Sequence, residues 1–278
     1  MKNFLLLILF CAYFLSTCAQ QPNDVPLTPE EIELLASTKQ INQFFRRFNN
    51  EESLSGERYY EGNPEYRNNN FRKQYLNILF DERSALVSEA LKTKFIDDIT
   101  SNTNSQYLEF HGGKWFAELS STFRWKGTRT EVILFMEIQE EPVGSKWVIK
   151  KAYCQKFESM FFNTDTTGIP QLFIHPMSHE LGFMNLRRAM EKPQLVEYYS
   201  AKNYVPDHLS LLLFEIKNGN MKFETVNATD FHFFQIEGWY FKIEYFNRTG
   251  QNSGWLISNI METDGIAEES ILKFIYKY

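Results

Sequence analysis

The side chains best suited to chemistry are five histidines and three cysteines. The densest polar run is His175-Pro176-Met177-Ser178-His179-Glu180. Its two histidines stand at i,i+4 and could share a metal ion from one helical face. Pro176 opposes this, because a residue before proline is driven out of the helical region. Glu180 follows the second histidine, so the HExxH order is absent and spacing supplies no third ligand. Ser178 reads instead as the N-cap of a helix opening at His179. His111 and His232 fall in predicted strands, where a satisfied or surface histidine is the expectation. Cys154 has Lys151 and Lys156 as neighbours that could lower a thiol pKa. No histidine stands beside it in sequence, so it reads as a buried small hydrophobe.

Nucleophile elbows, phosphate-cradling glycine loops and Walker sequences are missing. The pairs Asp97-Asp98, Glu140-Glu141 and Glu268-Glu269 sit at element boundaries and read as solvated faces. Glycoside chemistry would need two carboxyls opposed across a cleft. The expectation is therefore no catalytic residue, no metal and no cofactor. Aromatic residues are plentiful, with 26 Phe, 14 Tyr and 5 Trp. Trp115, Phe123 and Trp125 share parity on one predicted strand and hence one sheet face. They are the candidate ligand-binding residues, able to grip a small apolar molecule or a sugar if they line a concave sheet. Packed in a core they would only bury apolar area. Asn227-Ala228-Thr229 and Asn247-Arg248-Thr249 match the N-glycosylation sequon.

The amino terminus carries an address. Lys2 precedes an almost wholly apolar run, Phe4 to Leu15, which makes only ~18 Å of helix against a ~30 Å hydrocarbon core. A basic start, a short apolar run and small residues after it have the form of a secretory signal peptide over 1–19. Leu15-Ser16-Thr17-Cys18 resembles a bacterial lipobox, which would make Cys18 the lipidated first mature residue. An ordinary cut after Ala19 competes with it. Two acyl chains would hold the protein on a membrane surface, where one chain alone binds marginally. The expected location is the bacterial cell envelope, as a membrane-anchored lipoprotein or as a periplasmic or secreted protein. A net charge of −6 offers phosphates no broad attraction, which argues against a nucleic-acid partner.

The elements that must position these residues follow from periodicity. Residues 20–27 read as a tether. Thr28 caps a helix with Pro29 at its first position and Glu31 completing a capping box. Its apolar stripe runs through Ile41, Phe45 and Phe48 to an end near Asn50. Residues 51–70 read as a loop, a second helix starts at Phe71, and a third covers 86–99. From Gln106 the period falls to two, which predicts four strands at 106–111, 114–125, 129–140 and 146–155. The pattern then recurs roughly a hundred positions on. Leu108-Glu109-Phe110-His111-Gly112-Gly113 parallels Phe214-Glu215-Ile216-Lys217-Asn218-Gly219, and Gly144-Ser145-Lys146-Trp147-Val148-Ile149 parallels Asn252-Ser253-Gly254-Trp255-Leu256-Ile257. The predicted organisation is α+β. Two tandem units, 28–162 and 177–278, flank a linker at 163–176, each with helices packed on a curved antiparallel four-stranded meander.

Helices followed by a curled meander in units of this size resemble the nuclear transport factor 2-like superfamily. The resemblance implies two cones, each closing a sheet around an apolar pocket. Isomerase-like members use an acid inside that pocket; Glu118 or Asp230 could be proposed, but no motif selects either. Phe44-Phe45-Arg46-Arg47-Phe48-Asn49 and Arg72-Lys73-Gln74-Tyr75-Leu76 are also similar to segments of uncharacterised secreted and lipoprotein families of bacteria. The leading expectation is a non-catalytic module binding a ligand or a protein. The alternatives are a small-molecule isomerase or hydrolase with a pocket acid, and a structural subunit of an envelope assembly. Replacing Cys18→Ala should release the protein from membranes into the soluble fraction on cell fractionation. Unchanged sedimentation with membranes would remove the lipid anchor.

Overall fold

A computed structural model describes residues 40–161, 174–191, 193–201, 204–249 and 252–277. The signal segment, the tether, the capping box at Thr28 and most of the expected linker lie outside the described residues. Three helices lead: α1 (Ile41–Asn49), α2 (Asn69–Ile78) and α3 (Glu89–Ile99). Strands β1 (Trp115–Trp125), β2 (Thr128–Glu141) and β3 (Gly144–Tyr153) follow, then the short α4 (Gln155–Phe161). After α5 (Asn185–Met190), which lies between two 3-10 turns, comes α6 (His208–Lys217). Strands β4 (Met221–Phe233), β5 (Trp239–Phe246) and β6 (Gly254–Glu262) precede the closing helix α7 (Gly265–Ile275). The class is α+β, with one six-stranded antiparallel sheet in the order β3-β2-β1-β4-β5-β6. Each half of the chain contributes three strands, and the halves meet where β1 pairs with β4.

Residues 106–111 form no strand. Their backbone groups are taken by side chains instead of a ladder. Asn49 donates through Nδ2 to the Leu108 carbonyl (2.8 Å) and accepts the Leu108 N–H at Oδ1 (2.9 Å). Gln235 accepts the Glu109 N–H (3.0 Å). The parallel segment of the second half is not a strand either. Phe214–Lys217 closes α6, whose first N–H groups are capped by Asp207. What the two segments share is the turn that follows, with Gly113 (φ 66°) and Gly219 (φ 73°) in the left-handed region just before β1 and β4.

Both faces of the sheet are covered. On the first, Phe44, Phe45 and Phe48 of α1 meet Trp115, Phe233 and Phe241 of the strands. Leu76 of α2 and Phe95, Ile96 and Ile99 of α3 complete this core. Further along the same face, α4 and α6 cover Phe123, Val132 and Leu134 with Phe157 and Leu212. The second face carries Phe116, Phe135 and Tyr240 beneath Ile271, Leu272 and Ile275 of α7. In β6, Ile257 pairs with Ile243 and Asn259 with Lys242, so Ser258 is an extra residue. That bulge lets Ile257 and Ile260 both reach the first core while Asn259 faces the second side. The outer edge of β6 is covered by the segment after α2, with Ile257 N–H on the Leu79 carbonyl (2.7 Å) and Asp81 N–H on the Ile257 carbonyl (2.9 Å). The edge at β3 carries Lys146, Lys150 and Lys151, charges that discourage strand addition.

The helical layer is tied together by Arg72, whose side chain is fully buried. Its guanidinium donates to the carbonyls of Phe48 (2.8 Å), Ile99 (2.9 Å) and Gln106 (2.5 Å). The first two belong to the last turns of α1 and α3, where carbonyls lack intrahelical donors and the dipole is negative. The rings of Phe48 and Tyr107 lie 5.2 and 4.5 Å from the guanidinium carbon. Burial pushes the Arg72 pKa down to about 10, still charged at neutral pH. Arg46 and Arg47, in the same sequence block as the α1 phenylalanines, close on the buried carboxylate of Glu52. Arg72→Met would strand three carbonyls and should lower the unfolding free energy by about 3–5 kcal/mol in urea titration. A loss under about 1 kcal/mol would show that water reaches those carbonyls.

Candidate functional site

The second sheet face is apolar at one end and ionic at its middle. Cross-strand register sets Glu118 of β1 directly opposite Asp230 of β4, and Asp230 directly opposite Glu244 of β5. The next row sets His232 opposite Lys242, and Lys242 opposite Asn259 of β6. Helix α7 crosses above these strands and leaves a hollow of about 470 Å³. Its floor is Glu118, Asp230, His232, Tyr240, Lys242 and Asn259, and its wall is Met261, Ile271, Phe274 and Ile275. Asp264 caps α7 by accepting the N–H groups of Ile266 and Ala267, which fixes where the helix enters.

His232 is the buried centre of this floor. Its Nε2 lies 2.9 Å from Glu118 Oε2, and its Nδ1 lies 2.9 Å from the Tyr240 hydroxyl. The ring stacks on Phe116 at 4.9 Å. Burial, with Glu118 and Asp230 nearby, pushes the Tyr240 hydroxyl well above its ordinary range, so it stays protonated. In the neutral imidazole these contacts make Nε2–H the donor to the carboxylate and Nδ1 the acceptor of the Tyr240 hydroxyl. Lys242 reaches both Asp230 and Glu244 at 3.2 Å. Burial works against the lysine's charge, but the two carboxylates outweigh it and raise its pKa. For Asp230 burial dominates and raises the carboxyl pKa, against the pull of Lys242 and with Glu244 adding to it.

Each floor carboxylate is anchored through one oxygen, and its other oxygen takes no hydrogen bond from the described residues. Asn259 likewise spends its amide on no partner among them. The hollow can therefore hold donors at Glu118 and Asp230 and an acceptor at Asn259, beside an apolar wall. No nucleophile stands ready among its lining residues, since the Ser270 hydroxyl donates to the Ile266 carbonyl (3.1 Å). A larger depression of about 920 Å³ opens between α3 and the start of α7. In its lining Asp97 is bound to Lys73, Asp98 to the Trp239 indole, Glu262 to Lys94 and Asp264 to the helix cap, while the Glu237 carboxylate takes no partner among the described residues.

The sequence candidates lie elsewhere. Trp115 stacks on Phe233 (5.5 Å) in the first core and donates to the Phe110 carbonyl (3.0 Å). Phe123 is buried against α4 and α6, and the Trp125 indole donates to Glu215 (2.6 Å). All three share the helix-covered face, as their parity required, and none lines the hollow. Cys18 lies outside the described residues. His175 and His179 serve a local turn. His175 Nδ1 accepts the Met177 N–H at the start of the 3-10 helix Pro176–Leu181, and His179 Nδ1 contacts the Pro176 carbonyl. His175 is thus the N-cap, while Ser178 is buried and accepts from Asn185 (3.2 Å). Cys154 has its thiol pKa raised by burial, which outweighs the backbone N–H groups of Phe157 and Lys156 and the charge of Lys156.

Sequence reading left His232 as a satisfied strand histidine. The available signal was parity: Glu118, Asp230 and His232 interrupt aromatic strands at positions facing away from Trp115 and Phe231. No protein-family model, no curated protein and no solved structure matches the chain. The site therefore stands on its own geometry.

Proton linkage gives a direct test of the floor. A folded-state pKa above the ordinary 3.8 means the folded protein holds the Asp230 proton more tightly than the unfolded chain. That contribution is full below the unfolded value and is lost as pH rises through the folded one. Asp230→Asn should therefore gain stability relative to wild type as pH rises from about 4 toward neutrality, read from urea titrations. A flat or falling difference would contradict burial as the dominant influence.

Proposed function

We propose that this protein is an exported envelope protein that works by binding, and that the hollow beneath α7 is its ligand seat. One observation carries the reading: anchored carboxylates with spare oxygens and an unpartnered amide line a half-open recess with an apolar wall. Pockets that bind small molecules combine these features, with few polar groups fixing orientation in a largely apolar recess. Export and a lipid anchor at Cys18 are the setting proposed from the amino-terminal segment. The two halves are proposed to be diverged copies of one unit. Supporting this are the strand order, which mirrors one three-stranded meander on the other about the β1–β4 pair, and the helix after each meander. The nuclear transport factor 2-like resemblance enters only as a proposal of kinship, with one shared sheet in place of two cones.

A second reading has its own support. Burial holds the Asp230 proton more tightly than usual, and Glu118 stands on the adjacent strand. Two carboxyls in unlike surroundings suit general acid–base work, as in an isomerase that moves a proton within one substrate. Met261→Trp, which fills the hollow from β6, separates seat from scaffold. Native mass spectrometry of protein purified from its own envelope should show a bound small molecule in wild type that is lost in the variant, with circular dichroism unchanged. Identical adducts in both, or none in either, would overturn the hollow as the seat.

A further inference from the structure

Two carboxylates, Glu118 and Asp230, and two lysines, Lys242 and Lys277, line the hollow, and Glu244 stands outside the lining in the row of the carboxylates. Glu118, Asp230 and Glu244 stand in one register row across β1, β4 and β5, and like charges directly opposite one another on a sheet repel. Lys242 answers two of them, and among the described residues Glu118 is answered through the His232 ring. Lys277, at the mouth, lies 5.6 Å from the Phe274 ring centre. Glu118 and Asp230 are directly paired, each has one carboxylate oxygen without a hydrogen bond among the described residues, and both residues line one recess. An ammonium between them would accept the geometry of both and relieve the repulsion along the row. A bare metal ion fits less well, because no group of three or more ligating side chains suited to one occurs among the described residues. Beside this polar spot, Met261 and the strongly exposed Phe274 offer an apolar flank, and an aromatic face also attracts cations.

Resting on the hollow as the seat, we propose that its ligand is an organic cation, a protonated amine carried on an apolar body. The amine lies between Glu118 and Asp230, and the body lies along Met261, Ile271 and Phe274. Calorimetric titration of the full chain with hexylammonium, 1-hexanol and hexanoate at low salt tests this with ligands of one shape and three charges. Hexylammonium should bind about tenfold tighter than either other probe. Glu118→Gln and Asp230→Asn should each weaken it by about tenfold, and added salt should weaken it further. Hexanol or hexanoate binding as tightly as the ammonium would overturn the cation while leaving the seat in place. No heat from any of the three would overturn the seat and the cation together. Unchanged hexylammonium affinity in both carboxylate variants would overturn its placement.

Discussion

A single buried guanidinium holds the helical layer in register with itself. Arg72 has no carboxylate in contact; its charge is met by three carbonyls and two aromatic faces. An unpaired buried charge is costly, so the arrangement persists because each guanidinium nitrogen finds a carbonyl oxygen and two rings lie against the group. Two of those oxygens end helices, where backbone acceptors would otherwise need caps or water. Arg72 therefore acts as a shared C-cap for α1 and α3, carried in on α2. The same cation draws in Gln106, and with Asn49 it keeps the segment before β1 out of the sheet. The start of β1, and hence the register of Glu118 against Asp230, follows from that anchor.

From this anchor the sheet divides its labour. The first face is packed with aromatic and aliphatic side chains, and Phe233 is stacked between Trp115 (5.5 Å) and Phe241 (4.7 Å). Rings packed this closely bury large apolar area and leave no room for a ligand. The second face has a single helix to cover it, and α7 cannot reach across every strand. Where it falls short, polar residues of four adjacent strands meet in the hollow. The bulge at Ser258 matters to both faces, because it keeps Ile260 in the core while turning Asn259 toward the ionic row.

The ionic row is partly satisfied, and that makes it informative. Glu118–His232–Tyr240 is a closed chain of hydrogen bonds whose inner members are buried and stacked on Phe116. Such a network fixes the orientation of its outermost carboxylate more than it offers a reacting atom. Lys242, held between two acids, does the same for Asp230. Positions held this firmly suit recognition, because a bound group meets oxygens that need no reordering.

The alternation of Val132, Leu134 and Met136, the stripe of Phe44, Phe45 and Phe48, and the turn glycines before β1 and β4 are local properties. Period and turn chemistry depend on neighbours a few residues apart, so helices, strands and the α+β class were legible from the chain itself. The shared face of Trp115, Phe123 and Trp125 was legible for the same reason. Three things were decided only by contacts distant in sequence. Residues 106–111 have strand-like alternation, yet Asn49 and Arg72 claimed their backbone. The six strands could have closed as two separate meanders, but the β1–β4 pairing made them one sheet. Glu118 carries no motif with Asp230, His232 and Lys242, because it stands more than a hundred residues before them and that spacing encodes nothing about proximity. Antiparallel register brought them side by side, and only folding sets a register between strands that far apart.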